Sequence, residues 1–147
     1  MDNEDVKKAH ELDCQIQNLL LKATEAREFS YSPYSNFKVG AALLCQDDSI
    51  YTGCNVENSS FTVGTCAERC AYFKAISEGK RKFKAIAIVA MQKKWFTPPC
   101  GACRQLMSEF GQLDVYMTKP RHDDVLVSDL KRLLPYQFEV TDDKTFE

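Results

Sequence analysis

Apolar residues recur at helical spacing through Val6, Ala9, Ile16, Leu19, Leu20, Ala23 and Ala26 with charged residues between them. This pattern predicts one amphipathic helix over Asp13–Phe29 with a frayed start, stopped by Ser32-Pro33. The small apolar run Lys38–Gln46 and the β-forming run Ile50–Asn55 flank Asp47-Asp48-Ser49, which reads as a hairpin turn. Asn58–Thr65 is a polar loop, and its last residue, Thr65, is the expected N-cap of a helix over Cys66–Glu78 closed by Gly79. Apolar residues on most sides of that helix predict extensive burial.

Lys84–Met91, apolar from Ala85 onward, predicts a strand in the middle of a sheet covered on both faces. After Pro98-Pro99 comes a second short helix, Gly101–Phe110, closed by Gly111. Val115–Met117 and Val125–Val127 are short strands around the turn Lys119–Asp123, and Ser128 is placed to cap a last helix ending before Pro135. An opening hairpin followed by alternating strands and helices predicts an α/β fold with helices on both faces of a mixed sheet.

The 147 residues suit a single domain with one core, or a core shared with partner subunits, so 1–147 is expected to be one domain with 1–12 as an extension. Net charge is −2 and basic residues are scattered, apart from Lys80-Arg81-Lys82 and Lys93-Lys94, so a phosphate-tracking surface is not indicated and no nucleic-acid partner is expected. The longest apolar runs, Val39–Cys45 and Ala85–Met91, are far short of the roughly 20 residues of a membrane span. The first dozen residues alternate acidic and basic groups unlike a signal or transit peptide, so the expected address is cytoplasmic. Seven cysteines, an odd number, point to free or metal-bound thiols rather than bridges.

Three sequence pieces carry chemistry: Cys66-Ala67-Glu68 and Pro99-Cys100-Gly101-Ala102-Cys103, each at the start of a predicted helix, and Asn55-Val56-Glu57-Asn58, ending a strand. Alone, a C-x-x-C is a zinc half-site, a redox pair or coincidence. Two cysteine-bearing helix N-termini change the reading, because free N–H groups and the helix dipole stabilise the thiolates that zinc takes as ligands. Three thiolates leave the fourth tetrahedral position open to water, the hallmark of a catalytic site. Glu68, two residues beyond Cys66, is placed to act on a proton there.

These pieces resemble the zinc-dependent cytidine deaminases of the small homotetrameric class, and the likeness extends from about Tyr31 to Phe138. It takes in Tyr31-Ser32-Pro33-Tyr34-Ser35-x-Phe37-x-Val39-Gly40-Ala41-Ala42, Arg69, Arg104-Gln105 and Leu133-Leu134-Pro135. The zinc-deaminase signature is an established one. The resemblance implies a three-layer α/β/α fold around a mixed sheet, one Zn²⁺ per subunit on Cys66, Cys100 and Cys103, and Glu68 as proton shuttle. It assigns Asn55 and Glu57 to the ribose hydroxyls, Phe37 to packing on the nucleoside and the Ala67 N–H to the pyrimidine carbonyl. A carbonyl of the Pro98-Pro99 loop would take the exocyclic amine. Tyr34, Phe61 and Phe138 would close the pocket, some from neighbouring subunits of a homotetramer. Phe61 stands where relatives often carry Tyr, and Cys70 where they often carry Thr. The implied activity is hydrolytic deamination of cytidine and deoxycytidine in pyrimidine salvage, with Arg69 offsetting the excess thiolate charge.

Other readings stay open at the level of sequence. Cys70 lies at i+4 from Cys66, so Cys66, Cys70, Cys100 and Cys103 form a candidate closed structural zinc module. Cys100 and Cys103 alone allow a redox pair. A deaminase of polynucleotide or of an antibiotic nucleoside shares the zinc motif; the charge balance disfavours the former and Asn55-Val56-Glu57-Asn58 the latter.

Overall fold

A computed structural model describes residues 5–140. A six-stranded sheet runs through it in the order β1-β6-β5-β4-β2-β3. The strands are β1 (Val6–Lys8), β2 (Val39–Cys45), β3 (Ile50–Cys54), β4 (Phe83–Ala90), β5 (Asp114–Thr118) and β6 (Asp124–Asp129). β4 and β5 pair in parallel and every other neighbouring pair is antiparallel, so the sheet is mixed as expected.

Residue alternation along β2 decides which helix covers which face. Val39, Ala41, Leu43 and Cys45 pack with Ala67, Ala71 and Tyr72 of α2 (Ala67–Ser77) and with Cys103 and Met107 of α3 (Gly101–Ser108). Ala42 and Leu44 face the opposite layer, where α1 (Cys14–Arg27) contributes Ile16, Leu19, Leu20 and Ala23. The result is three layers, with α4 (Leu130–Leu133), the last helix among the described residues, following β6. Two strand glycines let the helices approach: a Cβ at Gly40 would lie 2.0 Å from the Ala23 carbonyl oxygen, and one at Gly53 would lie 2.5 Å from that of Ala67. The second contact pulls the first turn of α2 onto β3.

Several boundaries differ from the sequence expectation. Val6–Lys8 is a strand rather than a frayed helix start: Val6 pairs with Leu126, and Lys8 binds Asp124 at 2.6 Å. Three residues are too few to display a period of their own, and the tertiary pairing decides them. α1 begins after Asp13, whose carboxylate accepts from the Ile16 N–H at 2.9 Å, and it ends at Arg27 rather than Phe29. Asp129, not Ser128, caps α4, accepting from Arg132 N–H at 2.8 Å, because β6 continues through Ser128. Phe73 on α2 is 51% exposed, against the expected burial. Residues 1–4 and 141–147, part of the expected single domain, lie outside the described residues.

Candidate active site

The N-cap of α2 is Cys66, not Thr65, and the N-cap of α3 is Cys100. Both have extended backbone, and neither side chain caps its own helix. The sulfurs turn to each other instead: Cys66 Sγ and Cys100 Sγ are 3.8 Å apart, and Cys100 Sγ and Cys103 Sγ are 3.5 Å apart. Thr65 is occupied elsewhere, exchanging backbone hydrogen bonds with Val56 at 2.9 and 3.0 Å. Those bonds, with Tyr31 N–H donating to the Asn55 carbonyl and Glu57 N–H to that of Tyr31, tie three chain segments in front of α2.

Among the described residues, the group of side chains able to hold a metal is Cys66, Cys100 and Cys103, with ligand atoms within 4.8 Å of one another. Tetrahedral zinc with Zn–S bonds of about 2.3 Å separates its sulfurs by roughly 3.8 Å, which these spacings match. Cys70 is not in the group; it packs against Gly53, and the closed four-thiolate module is thereby set aside. No disulfide joins any of the cysteines, and Cys100 and Cys103 are free thiols.

Charge at the site is arranged for thiolates. The neighbouring Cys103 thiol, with help from the Arg69 guanidinium, lowers the pKa of the Cys66 thiol against the pull of burial. Cys103, close to Cys66 and itself buried, is pushed up. Arg69 Nη2 lies 3.8 Å from Cys66 Sγ, and its Nε is buried with no hydrogen-bond partner. Arg69 thus reaches the cluster as expected. Glu68 is 5% exposed, and burial, reinforced by the nearby Cys66 charge, raises its carboxyl to about 7. A carboxyl so placed exchanges a proton near neutrality.

Beside the thiols is a cavity of about 540 Å³, within the range of small-molecule sites. Of the sequence-predicted residues it is lined by Tyr34, Phe37, Asn55, Glu57, Phe61, Cys66, Ala67, Glu68, Arg69 and Cys100. Tyr34 and Phe61 meet edge to face at 5.8 Å. Buried Cys103 lies behind Cys66 and Cys100. Phe138 is outside this lining and 73% exposed, its carbonyl held by Gln105 Nε2 at 3.0 Å.

The Asn55 amide is largely engaged by the protein. Its Nδ2 donates to the Phe37 carbonyl at 2.8 Å, while its Oδ1 accepts from Val39 N–H at 2.9 Å and from the Ser30 hydroxyl. Glu57 Oε2 accepts from the N–H groups of Tyr34 at 2.9 Å and Ser35 at 3.2 Å, and Oε1 accepts from the Ser35 hydroxyl. Those bonds, the hydroxyl foremost, hold the Glu57 carboxyl below its ordinary range. The sequence reading assigned no role to Ser30, Ser35 or Arg104. Arg104 Nε and Nη1 bind the carbonyls of Pro99 and Leu133, each at 2.7 Å, fixing the loop before Cys100. Ser35 and Arg104 stood within the stretches that carried the resemblance, but hydrogen bonding to loop backbone leaves no periodic trace.

Thiols on two helix N-termini beside a buried carboxyl form a group able to hold a metal such as zinc. The family model of the cytidine and deoxycytidylate deaminase zinc-binding region matches residues 14–119. A cytidine deaminase of Sporosarcina psychrophila is 46% identical over 129 residues, covering 86% of this chain and 93% of its own. One from Halalkalibacterium halodurans is 48% identical over 130 residues, covering 86% and 96%. The crystal structure of cytidine deaminase from Burkholderia pseudomallei superposes with a TM-score of 0.78 at 47% identity, covering 83% of this chain and 98% of that one. The chain belongs to the zinc-dependent cytidine deaminase family, and it is an enzyme of that family.

Proposed function

We propose that the protein hydrolyses cytidine and deoxycytidine to uridine and deoxyuridine with release of ammonia, as a step of pyrimidine salvage. The observation that carries this reading is buried Glu68 on the turn of α2 that also presents Cys66, facing a cavity bordered by Asn55 and Glu57.

Cys66, Cys100 and Cys103 would hold one Zn²⁺ per chain. When bound, zinc supplies Lewis acidity that lowers the pKa of a water ligand from 15.7 to about 7. Glu68 takes a proton from water and delivers it to N3 as the hydroxide oxygen bonds to C4, then takes the remaining proton from that oxygen and delivers it to the amino group, so that the C4–N bond breaks, ammonia leaves and the C4 carbonyl forms. A single carboxylate serves both transfers because they are sequential. The Ala67 N–H at the start of α2 donates to the pyrimidine carbonyl, and a carbonyl of the Pro98–Pro99 loop accepts from the exocyclic amine. Phe37 packs on the nucleoside, while Asn55 and Glu57 take the sugar hydroxyls. For Asn55 this leaves the second Nδ2 hydrogen, the first being spent on Phe37.

The chain acts as one deaminase domain in a homotetramer. Support comes from aromatic surface that a lone subunit leaves in water, with Phe29 80%, Phe61 77% and Phe138 73% exposed. Phe138 closes the pocket of a neighbouring subunit, and Tyr34 and Phe61 complete its rim. No helix among the described residues is long and apolar enough to cross a membrane, and a cytoplasmic location suits a free nucleoside substrate.

Reconstitution tests the reading. Activity should follow bound zinc up to one equivalent per chain, with X-ray absorption reporting three sulfur neighbours. Four sulfurs, or activity indifferent to zinc, would overturn it.

A further inference from the structure

Glu57 lies three residues beyond the end of β3, whereas Phe37 precedes β2, yet a single side chain joins them. The turn that carries it is fixed locally: Asn36 N–H donates to the Ser32 carbonyl at 3.0 Å, and Asn36 takes the left-handed φ of 54° that asparagine tolerates. This places the Ser35 hydroxyl between two cavity residues. Its oxygen accepts from the Phe37 N–H at 3.0 Å, and its hydrogen goes to Glu57 Oε1. The backbone N–H groups of Tyr34 and Ser35 meanwhile hold Oε2.

A carboxylate offers about four acceptor positions. Three are filled here, by the N–H groups of Tyr34 and Ser35 and by the Ser35 hydroxyl. One position on Oε1 is left, on a residue lining the cavity. We propose that Ser35 is the specificity-setting positioning residue of the sugar site, its hydroxyl aiming the remaining acceptor of Glu57 at a ribose hydroxyl and keying that aim to the position of Phe37. The inference rests on the proposed sugar-binding role of Glu57. Ser35 does not touch the reacting atoms; it narrows the set of carboxylate rotamers, so that a hydroxyl-bearing substrate meets an acceptor already oriented. The same bond favours the ionised form of Glu57, which accepts only.

The test compares Ser35→Ala, Ser35→Thr and Glu57→Gln in the zinc-loaded enzyme with cytidine and with free cytosine. Ser35→Ala should raise KM for cytidine roughly three- to tenfold, the range of one lost hydrogen bond, with kcat nearly unchanged and cytosine kinetics unmoved. In the same variant, carboxyl-carbon NMR should show the Glu57 pKa rising towards the ordinary value. Ser35→Thr keeps the hydroxyl and should restore both. An unmoved KM, or a KM change without a change in the Glu57 titration, would overturn the role of Ser35. If Glu57→Gln leaves the preference for cytidine over cytosine intact, the sugar-site reading itself fails.

Discussion

Cys66 and Cys100 each occupy the N-cap of a different helix, and their sulfurs lie 3.8 Å apart. An N-cap normally offers an oxygen to the free N–H groups of the first turn. Here both helices forgo that, and their dipoles point at the same cluster of thiols. The pairing depends on Gly53, where a Cβ would collide with the Ala67 carbonyl oxygen. Gly53→Ala should therefore lower zinc affinity through displacement of α2. Metal competition with a chromophoric chelator measures it, and unchanged affinity would detach α2 placement from Gly53.

Glu68→Gln preserves size and removes the proton acceptor. Zinc content should be retained while kcat falls by about 10²-fold or more. Near-parental turnover would take Glu68 out of the reaction, and loss of metal would give it a structural role.

Arg69 places a guanidinium 3.8 Å from the Cys66 sulfur. Arg69→Ala leaves the thiolate charge uncompensated, so turnover should slow and the acid-side limb of its pH profile should move upward. A profile superimposable on that of the parent would contradict this assignment.

His122 joins the β5–β6 turn to α1 through Thr24 Oγ1, and burial lowers its pKa. The folded state therefore binds a proton less readily than the unfolded one. This contribution to stability is complete above the unfolded value of about 6.5 and is lost as pH falls through the lower, folded pKa. His122→Asn suits the left-handed φ of 55° and removes the titration. Denaturant unfolding at a series of pH values should show a shallower decline below pH 6.5 in the variant; parallel curves would exclude His122.

Phe138 lies beyond α4 with its ring 73% exposed. Phe138→Ala should raise KM and leave zinc intact, and mixing it with Glu68→Gln under subunit exchange should return some activity in hybrid pockets. A fully active monomer in sedimentation at assay concentration would contradict a shared pocket.

Much of this architecture was legible because it has a period or a motif. β4 is apolar from Ala85 through Ala90 and lies mid-sheet, buried on both faces, and α1 shows its stripe of Ile16, Leu19, Leu20 and Ala23. The thiol cluster could be anticipated because Cys66, Cys100 and Cys103 open helices. β1 was not legible, since Val6–Lys8 owes its conformation to a strand more than 100 residues away. Nor did sequence reveal that Asn55 spends most of its amide on Phe37 and Val39, or that Ser35 holds Glu57. Such bonds depend on loop geometry, to which pattern and propensity are blind.

Ammonia release from cytidine, deoxycytidine, adenosine and single-stranded DNA, measured side by side on the zinc-loaded protein, tests the central claim most directly. Cytidine and deoxycytidine should be deaminated at rates that chelation abolishes and zinc restores, with adenosine and DNA inert. Deamination of the DNA, or none of the nucleosides, would contradict the account.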